Sequence, residues 1–129
     1  MTDMTGMTKQ EERELAKRLV AEIGRMAETA GRKLRFMASF GRYLTRARLD
    51  ARRAGREFLV LGDFNIAHTR ADLANPTANV RQPGFRPDER EWFGRLLGPR
   101  TLVDVVRTLH PDEVGPFSWW TWRGQAWAL

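Results

Sequence analysis

Apolar residues recur at three- and four-residue steps through the front of the chain, at Leu15, Leu19, Ile23, Met26 and Ala30, which is the period of an amphipathic helix. Thr8 and Glu11 precede that run with capping-box spacing, and Gly31 stands where the helix would stop. A second helical pattern extends from about Lys33 to Ala54 through Leu34, Met37, Phe40, Tyr43, Leu44 and Ala47, with Gly55 placed to supply its C-terminal turn. The period then changes. Phe58-Leu59-Val60-Leu61 is an unbroken apolar run ending at Gly62, which predicts a strand covered on both faces. From Asn65 to Pro87 no period persists, and Asn75-Pro76 and Gln82-Pro83-Gly84 interrupt any regular element, so a long functional or mobile connection is predicted. Pro87, followed by Asp88 and Glu89, opens a short helix whose Trp92, Phe93, Leu96 and Leu97 face a core, and Gly98-Pro99 ends it. Val103, Val106 and Leu109 mark a further helix closed by His110-Pro111, and Phe117 to Trp122 alternates as a strand would.

The candidate chemistry sits where the Phe58–Leu61 run ends. Ligands of α/β proteins gather outside the carboxyl ends of such strands, and Asp63 and Asn65, two apart, point the same way if the extension continues. A carboxylate there can orient or deprotonate water, and an amide can donate to a non-bridging phosphate oxygen or hold the carboxylate. The pair suits water attack on phosphorus. The competing reading is structural: Asp and Asn after a strand commonly cap backbone N–H groups in a turn.

The residues that follow extend this motif. Gly62-Asp63-Phe64-Asn65-Ile66-Ala67-His68-Thr69, then Asp72-Leu73, Asn75-Pro76, Asn79, Gly84-Phe85, Pro87, Glu89-Arg90-Glu91-Trp92, Leu96-Leu97, Val103-Asp104, Arg107, Leu109-His110-Pro111 and Phe117-Ser118-Trp119-Trp120 stand in an order and spacing that resembles the exonuclease III family. These are the abasic-site endonucleases and 3′-to-5′ exonucleases of the endonuclease/exonuclease/phosphatase superfamily. The resemblance runs over roughly residues 33–125. It implies an α/β fold, part of a four-layered α/β sandwich, here preceded by one or two amphipathic helices. The division is then residues 1–31 as a helical extension and 32–129 as a partial domain. It implies catalytic roles for Asp63 and Asn65, DNA contacts from Asn75, Asn79, Trp119 and Arg123, and a Mg²⁺ or Mn²⁺ cofactor to which Asp63 is a secondary ligand. Trp119 would wall the pocket for an extruded abasic sugar, where a flat apolar surface excludes a normal nucleotide. For His68, structural hydrogen bonding is the favoured role over general-base work.

The same resemblance implies parts that the sequence does not contain: a Phe-Asn-x-Asn-Gly strand, a Gln-Glu-Thr segment carrying the main metal-binding Glu, and a terminal Ser-Asp-His. The chain therefore reads as an internal piece of such an enzyme, with little activity alone. The implied substrate is double-stranded DNA with abasic sites or 3′ ends, acted on by a monomer. The alternative is a non-catalytic nucleic-acid-binding or remnant product.

Charge adds one point. The net charge of +6 is uneven, with 14 Lys and Arg against 7 Asp and Glu in residues 1–56 and 8 against 9 in the remainder. The basic excess of the front segment fits either a polyanion partner or a solvated helix surface. There is no cysteine, so no disulfide framework, and Met1 to Gln10 lacks the apolar core of a secretory signal; cytoplasmic residence is the expectation.

Overall fold

The computed structural model describes residues 8–118. The order of elements is α1 (Lys9–Arg53), a 3-10 turn (Arg70–Asp72), α2 (Pro76–Asn79), α3 (Pro87–Leu96) and α4 (Val105–Leu109). The chain divides into two compact units, one up to Phe36 and one from Met37 onward. Among the described residues no helix is long and apolar enough to cross a membrane.

Both ends of α1 follow the sequence pattern. At the start, Glu11 Oε2 accepts from the Thr8 N–H at 2.7 Å and the Glu11 N–H donates back to Thr8 Oγ1 at 3.3 Å, satisfying donors that an open helix end would leave unpaired. The Thr8 backbone bond, then the Thr8 hydroxyl, hold the Glu11 carboxyl below its ordinary range. At the finish Gly55 takes φ +64°, its N–H donates to Arg52 O at 3.1 Å, and the Arg56 N–H reaches Ala51 O at 2.9 Å. Those two bonds form a Schellman turn, and the positive φ is what requires glycine there.

The predicted stop at Gly31 does not occur. α1 is continuous, with Gly24, Gly31 and Gly41 inside it. A glycine within a helix weakens it by about 1 kcal/mol relative to alanine but removes no hydrogen bond, and no proline interrupts the segment.

In the first unit the apolar stripe of α1 is solvent-facing, with Leu15, Leu19, Ile23 and Met26 all exposed. In the second, Met37, Leu44 and Ala51, seven residues apart along one face, are buried. A small core of Ala67, Leu73 and Phe85, with Val80 packed on it, lies within the stretch predicted to be irregular. That stretch is therefore a packed loop with two short helical turns. Its order comes from Phe85, which is 2 % exposed, and from Glu89, whose Oε2 accepts from the Gly84 N–H at 2.7 Å and the Arg86 N–H at 3.1 Å. Arg90 crosses the Phe85 ring at 4.4 Å and donates through Nε to His68 O at 2.8 Å. A cation over an aromatic face and a charged donor on a carbonyl both favour this closed loop.

The strand predictions are corrected. Phe58 to Leu61 is irregular, with Leu59 and Leu61 exposed and Phe58 and Val60 half-buried. The alternation has the period of an extended chain, but strands are made by pairing, and among the described residues the only bridge is an isolated contact of Leu97 with Leu102. The described residues are mostly helical and show no strand of the expected α/β sandwich. The predicted terminal strand lies largely outside the described residues. Its first members, Phe117 and Ser118, are irregular; the Ser118 N–H donates to Asp72 O at 3.1 Å.

α3 begins at Pro87 as predicted and ends at Leu96. α4 is shorter than its apolar pattern, because the Asp104 carboxylate accepts from the Arg107 N–H at 3.0 Å and caps the helix there. Val103, Val106 and Leu109, the apolar residues that mark this helix in the sequence, are exposed.

Candidate active site

The loop after Leu61 is set by alternate anchoring. Phe64 packs between two helices of the second unit, 6.0 Å from the Phe40 ring on α1 and 5.6 Å edge-on from Phe93 on α3. Ile66 and Ala67 are buried, and the Ala67 N–H donates to Gly84 O at 2.8 Å. Between these anchors, Asp63 and Asn65 are left exposed. Aromatic packing thus fixes the backbone while its polar neighbours stay accessible to a ligand.

The two side chains are not arranged as on a continuing strand. Gly62 and Asn65 both take positive φ, +149° and +51°, so extension breaks on either side of Phe64. Asp63 Oδ1 accepts from the Asn65 N–H at 2.8 Å, closing an Asx turn. The structural reading of Asp63 is therefore realised, and it does not displace the chemical one, because a carboxylate has a second oxygen. Asparagine suits the left-handed position at Asn65, which disfavours branched side chains.

His68 is half-buried against Phe93, with ring centroids 5.2 Å apart. A Cβ on Gly94 would come within 3.1 Å of His68 Nε2, so the absence of a side chain on α3 admits the imidazole. Asn75 is exposed, and its carbonyl accepts from Asn79 Nδ2 at 2.8 Å. Among the described residues no hydrogen bond joins Asn75 or Asn79 to Asp63. Trp119 and Arg123 lie outside the described residues.

A divalent cation needs several oxygen ligands, and Mg²⁺ takes one or two carboxylates together with phosphate and water. No group of three or more His, Cys, Asp or Glu that could hold a metal occurs among the described residues. Asp63 brings one carboxylate to its loop, so these residues do not make up a metal site by themselves.

The pattern of residue types did not assign the Asp72–Arg107 pair, which organises the chain just beyond His68. Arg107 Nη2 donates to Asp72 Oδ1 at 2.7 Å, and its Nη1 reaches the carbonyls of His110, Glu113 and Gly115 at 3.0, 2.9 and 2.9 Å. Asp72 Oδ2 accepts from the Thr69 N–H at 2.7 Å and from Thr69 Oγ1 at 2.8 Å. Burial pushes the Asp72 carboxyl up, but the bonds from Arg107 and Thr69 outweigh it and hold the group below the usual carboxylate range. Both residues stood in the spaced pattern read above, yet nothing in their spacing shows that they touch.

Residues 5–129 match the endonuclease/exonuclease/phosphatase family. The chain belongs to that family. It is 44 % identical over 68 residues to an exodeoxyribonuclease of Bacillus subtilis, covering 53 % of this chain and 27 % of the relative. It is 39 % identical over 88 residues to an exodeoxyribonuclease of Streptococcus pneumoniae, covering 68 % and 30 %. Against the DNA repair nuclease APEX1 of Danio rerio it is 40 % identical over 78 residues, covering 60 % and 24 %. The chain thus spans less than a third of the length of these relatives. No solved structure matches it significantly.

As a member of this nuclease-containing family, the chain places Asp63 and Asn65 in a motif whose side chains are presented outward. The resemblance to exonuclease III enzymes read from the spaced residues agrees with these relatives.

Proposed function

We propose that this segment carries part of the hydrolytic apparatus of an exonuclease III-type DNA repair phosphodiesterase. The observation that supports the reading is the exposure of Asp63 and Asn65 on a loop pinned by Phe64 between Phe40 and Phe93. In this reading Asp63 Oδ1 stays on the Asn65 N–H and holds the turn. Oδ2 accepts a hydrogen bond from the attacking water and takes its proton as the oxygen closes on phosphorus. The Asn65 amide N–H groups donate to a non-bridging phosphate oxygen, where negative charge builds in the transition state. His68, seated against Phe93, keeps a structural role. Asn75 and Asn79 lie on the same packed loop and are proposed as contacts to the DNA backbone, together with Trp119 and Arg123. Mg²⁺ or Mn²⁺ is the cofactor class of this reading, with Asp63 as a secondary ligand.

The substrate proposed is duplex DNA carrying abasic sites or 3′ ends. The test replaces the 68-residue segment of the Bacillus subtilis exodeoxyribonuclease that matches this chain with the corresponding residues of this chain and measures nicking of an abasic duplex. The chimera is expected to cut, and Asp63→Ala within it to slow cutting by roughly 10²- to 10⁴-fold, the range for loss of a positioned base. A folded, active chimera indifferent to Asp63→Ala overturns the role given to Asp63. The isolated chain is expected to show no Mg²⁺-dependent nicking.

A further inference from the structure

Within the second unit, the part of α1 from Ala38 to Arg53 and the facing side of α3 enclose an open groove of about 670 Å³. Arg42, Arg46, Arg53 and Arg95 line it, with Trp92 and Leu96 on its α3 side, and no acidic residue takes part. Gly41 lets the helices approach: a Cβ there would meet Trp92 Nε1 at 3.3 Å and Leu96 Cδ2 at 3.8 Å. The groove lies on a different face from the Asp63 loop. Phe40 and Phe93 turn toward Phe64, whereas their neighbours Gly41 and Trp92, about 100° further round each helix, border the groove.

Two of these four charges are offset only by exposed ion pairs, and the other two by none among the described residues. Arg53 pairs with Asp50 and Arg95 with Glu91, both at 3.0 Å and both exposed, where water screens such pairs to little value. Arg42 and Arg46 are exposed and form no ion pair with a described residue. Arg42, Arg46 and Arg53 lie four and seven residues apart on one helix face, a line of positive charge about 16 Å long. A repeating anion fits that line better than a compact ligand does. Guanidinium groups also match phosphate oxygens through paired donors. An apolar peptide helix would need deep side-chain pockets, and Gly41 and Thr45 offer a shallow wall instead.

We propose that this arginine-lined groove between α1 and α3 binds the phosphate backbone of a nucleic acid, as a second contact surface apart from the Asp63 loop. It does not depend on Asp63 being catalytic. The full chain is titrated against a fluorescently labelled, undamaged short duplex in EDTA, by anisotropy, over a series of salt concentrations. Arg42→Glu/Arg46→Glu is expected to weaken binding roughly tenfold or more, and to lower the slope of log K against log salt by about two contacts' worth. Arg42→Gln/Arg46→Gln should lower the slope likewise without adding negative charge. Arg13→Glu/Arg18→Glu, an equal change of net charge in the first unit, should leave most of the binding intact. Circular dichroism checks that each variant keeps its helix content.

Equal losses from the Arg13/Arg18 and Arg42/Arg46 variants would mean binding by net charge alone and overturn the site. Unchanged affinity and slope in both groove variants would also overturn it, as would stoichiometric binding of an acidic amphipathic peptide with none of the duplex. The titration in EDTA reads binding and the chimera reads cutting, so a failed nuclease assignment and a failed groove assignment give different results.

Discussion

Replacing Asp72 by asparagine takes one charge out of the Asp72–Arg107 pair while keeping nearly the same shape. The side chains are 7 % and 15 % exposed, so water does little to compensate. The variant keeps one oxygen, which can face either Arg107 Nη2 or the Thr69 donors, but not both; the other side must meet an NH₂ group that cannot accept. Removing one partner of a fully buried ion pair is destabilising by about 3–5 kcal/mol, and the residual exposure of Arg107 places this case near the lower end, at about 3 kcal/mol. Arg107 Nε is already buried without a hydrogen-bond partner, so its guanidinium has little spare solvation. The sign of the pH dependence follows from the lowered folded-state value of Asp72. Its stabilisation is fully present above the unfolded value of about 3.9 and disappears as pH falls through the folded value. Urea unfolding followed by circular dichroism should therefore show a deficit of about 3 kcal/mol for Asp72→Asn near pH 7 that shrinks well below pH 4. Equal stability near neutrality, or a deficit that persists unchanged in strong acid, would refute the account.

Asn65→Gly should leave stability within about 0.5 kcal/mol because glycine accepts the left-handed backbone, while Asn65→Ala should lose about 1 kcal/mol; both should slow the chimeric nuclease if the amide meets phosphate. Chemical denaturation together with nicking rates separates the backbone effect from the amide effect. Gly24→Ala should stabilise α1 by about 0.5–1 kcal/mol, since a Cβ there meets nothing within 4 Å; thermal melting monitored at helical wavelengths measures it. Glu89→Ala strands the Gly84 and Arg86 N–H groups and should lower stability by about 1–3 kcal/mol, with faster hydrogen exchange at Gly84 as its local signature.

Local rules made much of this chain legible in sequence. The capping box at Thr8, the Schellman turn at Gly55 and the start of α3 at Pro87 depend on residues within a turn or two of one another, so their spacing contains the whole interaction. The Gly62–His68 motif and the spaced residues after it were likewise readable, and they led to the family. Tertiary contact decided the rest. Whether Phe58–Leu61 forms a strand depends on a partner segment, which no property of its own four residues supplies. Gly31 could be read as a stop or as a weak interior position, and the uninterrupted hydrogen bonding of α1 selected the second. The stretch from Asn65 to Pro87 looked unstructured because its order comes from Phe85, Glu89 and Arg90 rather than from periodicity. The joining of Asp72 to Arg107, 35 residues apart, is set by how the loop packs, since attraction between charges depends on distance in space and not on separation along the chain.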